Sequence, residues 1–246
     1  MLANLEFRAG RLDAALAAAR NLRPHDGTGA ASWLLEGELL LAARQPAAAA
    51  RAFEAAAAKS PSLRAVSGQV RARVATGQGK AEAPLEDWLK SRPADSEAQA
   101  LLAELQLSQQ RYPEATRSYE AVVAADPRNV VALNNLAWLY QQAKDSRALE
   151  TARKAYEAAP TSASVADTYG WILVQSKKPD EGLKILRQAH EKAPENTEIQ
   201  YHYAAALAAT GDRATAQRVL TDLLGKGGSF QDRPAAEALL KQVRGS

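Results

Sequence analysis

No cysteine occurs anywhere in the chain. Disulfides, thiolate metal centres and cysteine nucleophiles are therefore excluded outright. Proline and glycine are sparse, at 11 and 14 of 246 residues, and aromatic residues make up only 6%. β-branched residues are few and alanine dominates, so helix is favoured almost throughout. No run comes near the roughly 18 apolar residues that a membrane-crossing helix requires. Met1-Leu2-Ala3-Asn4 passes straight into helical sequence, without the basic start and apolar stretch of a secretory leader. Neither sign of charge dominates, since 31 basic side chains against 28 acidic ones leave +3. The one basic run, Arg64, Arg71, Arg73 and Lys80, is too sparse to track a phosphate backbone. The charges read as solvated helix faces, and no nucleic-acid partner is expected.

What the chain does have is repetition. Residues 130 to 162 and 163 to 196 lie over one another at an offset of 33 or 34 residues. Leu136-Ala137-Trp138 then matches Tyr169-Gly170-Trp171, Ala152 and Ala155 match Leu186 and Ala189, and Pro160 matches Pro194. That period is the length of one helix-turn-helix brick, which cannot bury its apolar face alone and must stack on neighbours. The same phase extends in both directions. Trp33, Gly37, Ala49, Phe53, Ala56 and Pro61 define a unit at about 30–63; Leu102, Ala103, Ala115, Tyr119, Val122 and Pro127 define one at 96–129; Tyr203, Ala204, Leu207, Gly211, Ala216 and Leu220 define one at 197–230. A degenerate unit at 64–95 has a thinly apolar first helix (Val66, Val70, Val74) and is expected to pack most loosely. Residues 1–29 hold only part of a unit, as a segment cut from a longer array would. Asp232 is placed to cap a final amphipathic helix at 232–244 that covers the end of the stack.

The template resembles the tetratricopeptide repeat (TPR): a large residue at position 4, Leu-Gly or Leu-Ala at 7 and 8, Ala at 20, an aromatic residue or Leu at 24, Ala at 27 and Pro at 32. Small residues let the two helices of a unit approach, and the proline, lacking an N–H, stops the second helix. The resemblance spans the whole chain. It implies an all-α, right-handed superhelix of about seven repeats plus a capping helix, forming one solenoid domain over 1–246. A narrower resemblance rests on Asn134-Asn135-Leu136-Ala137-Trp138-Leu139, Asp167-Thr168-Tyr169-Gly170-Trp171 and Tyr201-His202-Tyr203-Ala204-Ala205-Ala206-Leu207. This series is similar to TPR lipoproteins of bacterial PEP-CTERM/exosortase and exopolysaccharide systems, which implies a periplasmic or membrane-anchored setting in the cell envelope. Their lipobox cysteine is absent here.

No constellation of catalytic residues emerges, and no cofactor or metal is called for. His190-Glu191 opens like a zinc-protease motif but lacks the second histidine, and His25 and His202 read as structural or solvated. Gly77-Gln78-Gly79-Lys80 lacks phosphate-loop spacing, and Gly225-Lys226-Gly227-Gly228 reads as a helix stop. The chain is read as a non-enzyme. In the resemblance, first-helix positions 2, 5, 9, 12 and 13 line a concave groove. Those positions carry Glu104, Asn134, Trp138, Gln141, Asp167, Trp171, Gln175 and Tyr201, with His202 beside them. Aromatic rings among polar groups suit an extended peptide, or alternatively a polysaccharide. Self-assembly through the ends of the stack is a further alternative. Trp33 and Trp88 are read as core. The carboxylate clamp of chaperone-binding repeats needs a cation at position 5 and Asn at position 9; Trp138 occupies position 9, so that mode is not expected.

Overall fold

The computed structural model describes residues 2–25, 27, 29–77 and 79–245, all helix and connecting turns with no strand. Met1, and Gln78 of the Gly77–Lys80 stretch, lie outside the described residues. Contacts group the chain into two compact units, residues 1–118 and 119–246. The first holds α1 (Leu2–Arg8), α2 (Leu12–Arg20), α3 (Ala30–Ala42), α4 (Pro46–Lys59), α5 (Leu63–Thr76), α6 (Ala83–Ser91) and α7 (Ser96–Ser108). The boundary falls inside α8 (Tyr112–Ala125). The second holds α9 (Val130–Gln142), α10 (Ala148–Ala158), α11 (Ala163–Gln175), α12 (Pro179–Lys192), α13 (Thr197–Ala209), α14 (Arg213–Gly225) and α15 (Arg233–Arg244). Within each unit consecutive helices pack antiparallel as hairpins.

Prolines set the helix ends. Pro61, Pro93, Pro127, Pro160 and Pro194 each stand two residues past the end of a second helix. The chain then turns, and after most of these prolines the next first helix is capped by a side chain: Asp95 accepts from the Ala98 N–H at 3.0 Å, Asn129 from Ala132 at 3.0 Å, and Asn196 from Glu198 and Ile199 at 3.0 and 3.1 Å, whereas Ser162 before α11 makes no such bond. Asp232 stands at the N-cap of α15, but its carboxylate makes no capping bond, contrary to expectation.

The turn inside each hairpin uses a left-handed residue just past the first helix, and the α5–α6 turn adds a second, Gly79. Gly10, Arg44, Gly77, Gln110, Lys144, Lys177 and Gly211 all have positive φ, and they recur every 33 or 34 residues. A left-handed conformation costs a side-chain-bearing residue roughly 1–2 kcal/mol. Four of the seven turns carry that strain because the hairpin geometry demands it. Replacing Lys177 by glycine should therefore stabilise the protein by about 0.5–1 kcal/mol, whereas Gly211→Ala should destabilise it by a similar amount. Chemical denaturation of both variants checks the pair of opposite signs.

Glycines also decide how closely helices approach. Phe53 is fully buried, and a Cβ added at Gly37 or Gly68 would lie 2.7 or 2.4 Å from its ring. One aromatic side chain thus spaces α4 from both α3 and α5. The third hairpin, expected to pack most loosely, has less contact between its own helices, α5 and α6, than α3–α4, α9–α10, α11–α12 or α13–α14 have, and Val74 at the far end of α5 is half exposed, although Phe53 packs α4 closely on α5. In the second unit Gly170 and Gly182 bring α11 and α12 together. A Cβ on Gly182 would meet the Gly170 carbonyl at 2.7 Å, and one on Gly170 would meet Leu186 at 2.7 Å.

Two tryptophans expected in the core are only half buried. The Arg23 guanidinium lies 3.4 Å over the Trp33 ring, and that of Arg92 lies 3.9 Å over Trp88. Trp88 Nε1 also donates to Asp95 at 2.7 Å. Each ring packs against an apolar cluster and carries a cation over one face.

Candidate partner-binding face

In the second unit the first helices α9, α11 and α13 lie side by side, with direct contacts between α9 and α11 and between α11 and α13. Helical periodicity aims position 5 and position 9 of each toward one face. Asn134 and Trp138 take those positions on α9, Asp167 and Trp171 on α11, and Tyr201 on α13. Trp138, Trp171 and Tyr201 are all half buried. The Asn134 Oδ1 is buried and has no hydrogen-bond partner among the described residues.

The structure gathers four of the expected residues into one cluster. His202 Nδ1 lies 2.9 and 3.0 Å from the two Asp167 carboxylate oxygens, and the side chains are only 7% and 9% exposed. The indole of Trp171 stacks on the His202 ring, with centroids 4.2 Å apart and 12° between planes. Tyr201 tilts against Trp171 at 5.9 Å. His202, expected to be structural or solvated, is thus buried and held by a carboxylate from the neighbouring repeat. A buried carboxylate requires such a partner, because desolvation of an unpaired one is prohibitive.

Glu198 completes the cluster. It stands in the first turn of α13, four residues before His202, where the helix dipole favours a carboxylate. One ligand atom each from Asp167, Glu198 and His202 lie within 4.8 Å of one another. The atoms crowding the Glu198 carboxyl raise its pKa; His202 opposes the rise, and the charges of Asp167 and Asp232 add to it. Tyr201 is likewise raised, by burial first and by Asp232 second. Glu198 was not among the expected residues. Position 2 of the same repeat template, or the Glu-x-x-x-His spacing itself, points to it.

The other expected residues lie elsewhere. Gln141 and Gln175 line a separate cleft of about 370 Å³ with Lys144, Asp145, Leu149 and Ser176. Glu104 is exposed on α7, in the first unit. At the equivalent position of α3, Glu38 pairs with Arg71 of α5 at 2.6 and 3.1 Å. That exposed pair contributes little stability. His190 lies apart from the cluster: its ring stacks on Tyr203 at 4.9 Å, and burial lowers its pKa.

Profiles of the tetratricopeptide repeat match residues 1–64, 101–163 and 173–243. The chain belongs to the TPR family. Its solved neighbours carry the same TPR-like solenoid fold. PilF of Pseudomonas aeruginosa superposes with a TM-score of 0.58 at 22% identity, covering 74% of this chain and 83% of that one. PilW, described as a widely conserved type IV pilus biogenesis factor, gives 0.51 at 26% identity, covering 60% and 70%. A chain of the Cut9–Hcn1 assembly of the APC/C gives 0.67 at 15% identity; it matches 95% of this chain, which spans 48% of its length. No curated protein matches by sequence. TPR repeats are protein-interaction scaffolds, and no described helix is long and apolar enough to cross a membrane.

Proposed function

We propose that the face built by α9, α11 and α13 captures an extended segment of a protein partner, in a bacterial envelope system for protein sorting or exopolysaccharide export. The observation that carries this reading is the row of half-buried rings, Trp138, Trp171 and Tyr201, on three successive first helices. Large rigid rings give contact area at little entropic cost, and interfaces draw on them as anchors. The buried, unpartnered Asn134 Oδ1 beside them is an acceptor available to a peptide N–H once its amide turns. The Asp167–His202 pair beneath Trp171 fixes the ring before binding, so little ordering remains when the partner arrives. The setting is supported by the similarity to PilF and PilW and by the C-terminal sequence series.

Peptides selected from a displayed library against the whole chain test the reading. Trp138→Ala combined with Trp171→Ala should weaken the best binders by about 30-fold or more, since an anchor residue contributes about 2 kcal/mol. Helical content by circular dichroism should stay unchanged. Binders that keep full affinity for the double variant would remove the face from consideration.

A further inference from the structure

We propose that Asp167, Glu198 and His202 form a site for a single divalent ion of the zinc class. The donors come from two adjacent repeats, and each is placed by the fold rather than by a flexible loop. Glu198 and His202 share one face of α13 through their four-residue spacing, and Asp167 enters from α11. Tetrahedral zinc bonds of about 2.0–2.2 Å set neighbouring ligand atoms about 3.3–3.6 Å apart, so the hydrogen-bonded pair need open by only about half an ångström as the ion replaces its proton. Nδ1 of His202 and the Asp167 oxygens already stand at 2.9 and 3.0 Å. The third corner lies within 4.8 Å. It belongs to an exposed glutamate with no side-chain hydrogen bond among the described residues, so a rotamer change closes the triangle.

The surroundings favour a cation. Asp232 adds a third carboxylate whose charge reaches Glu198 and Tyr201, and it is not spent on capping α15. Trp171 covers one face of the imidazole and fixes the ring plane, as ligand-positioning contacts do in metal sites. Exposed Glu198 leaves the site open to solvent, with coordination positions for water or for an incoming group. One nitrogen and two carboxylates form a mixed N/O set suited to zinc; calcium and magnesium prefer oxygen alone. The bound ion would bridge α11 and α13 and so tie two repeats together. It requires no partner protein, so ion binding is measured apart from peptide capture, although both draw on Asp167 and His202.

The test uses the full chain without a polyhistidine tag. Titration with Co²⁺ should give saturable d–d absorption at one ion per chain, displaced by Zn²⁺, and Zn²⁺ alone should raise the melting temperature. Glu198→Gln should weaken binding by at least about tenfold. His202→Gln should abolish it, and His25→Gln should leave it unchanged. Absence of saturation up to millimolar ion, or affinity untouched by Glu198→Gln, overturns the site. Should His202→Gln fail to fold, Glu198→Gln decides alone, because its side chain is exposed and carries no structural hydrogen bond.

Discussion

Replacing Phe53 by alanine is expected to cost about 3–5 kcal/mol, among the largest losses any single substitution in this protein would cause. The ring is completely buried, and two of the residues it presses against are Gly37 and Gly68. Neither has a side chain that could relax into the space left behind, so the cavity persists and its full penalty is felt. The converse substitution is also informative. Gly68→Ala drives a methyl group to 2.4 Å from the ring and should cost about 1–3 kcal/mol through overpacking. Combined with Phe53→Leu, which shortens the opposing side chain, it should cost clearly less than the sum of the two singles. Urea denaturation followed by circular dichroism measures all of these. A loss below about 1 kcal/mol for Phe53→Ala would contradict the packing described here.

Asp167→Ala is the second large effect. It strands the buried His202 without its carboxylate and opens space beneath Trp171. Removing one partner of a buried pair costs about 3–5 kcal/mol. Replacing both, as Asp167→Leu with His202→Leu, should recover much of that loss, because no uncompensated polar group remains. The double-mutant cycle separates the pair's coupling from the loss of packing. Near-UV circular dichroism reports whether Trp171 keeps its fixed environment. Additive single and double costs would show that the two side chains do not interact.

Much of the fold is legible in the chain because proline and small residues act locally. Pro61, Pro93, Pro127, Pro160 and Pro194 end helices through a missing N–H, whatever surrounds them. The positive-φ turns are only half legible. Gly10, Gly77 and Gly211 announce themselves, but Arg44, Gln110, Lys144 and Lys177 take the same conformation under tertiary demand and carry no mark in their residue type. The cluster on α11 and α13 divides in a similar way. Repeat phase places Asp167, Trp171 and Tyr201 on one face. It does not reveal that His202, one position further round the helix, turns inward to meet Asp167 from 35 residues away. Glu198 escapes notice because a carboxylate in a helix's first turn has an ordinary explanation in the helix dipole. Trp33 and Trp88 look like core residues because nothing in the sequence shows that Arg23 and Arg92 fold back over their rings.

The glycine pair Gly170 and Gly182 has a mechanical consequence. Most joints between helices are cushioned by side chains that can hop between rotamers and absorb a push. Here the two main chains approach directly, with only the Val174 and Leu186 side chains beside them, so little of that cushion exists at this point between α11 and α12. A force applied to the outer helix of that hairpin is passed on as rigid displacement, and it carries the indole and the carboxylate of α11 with it.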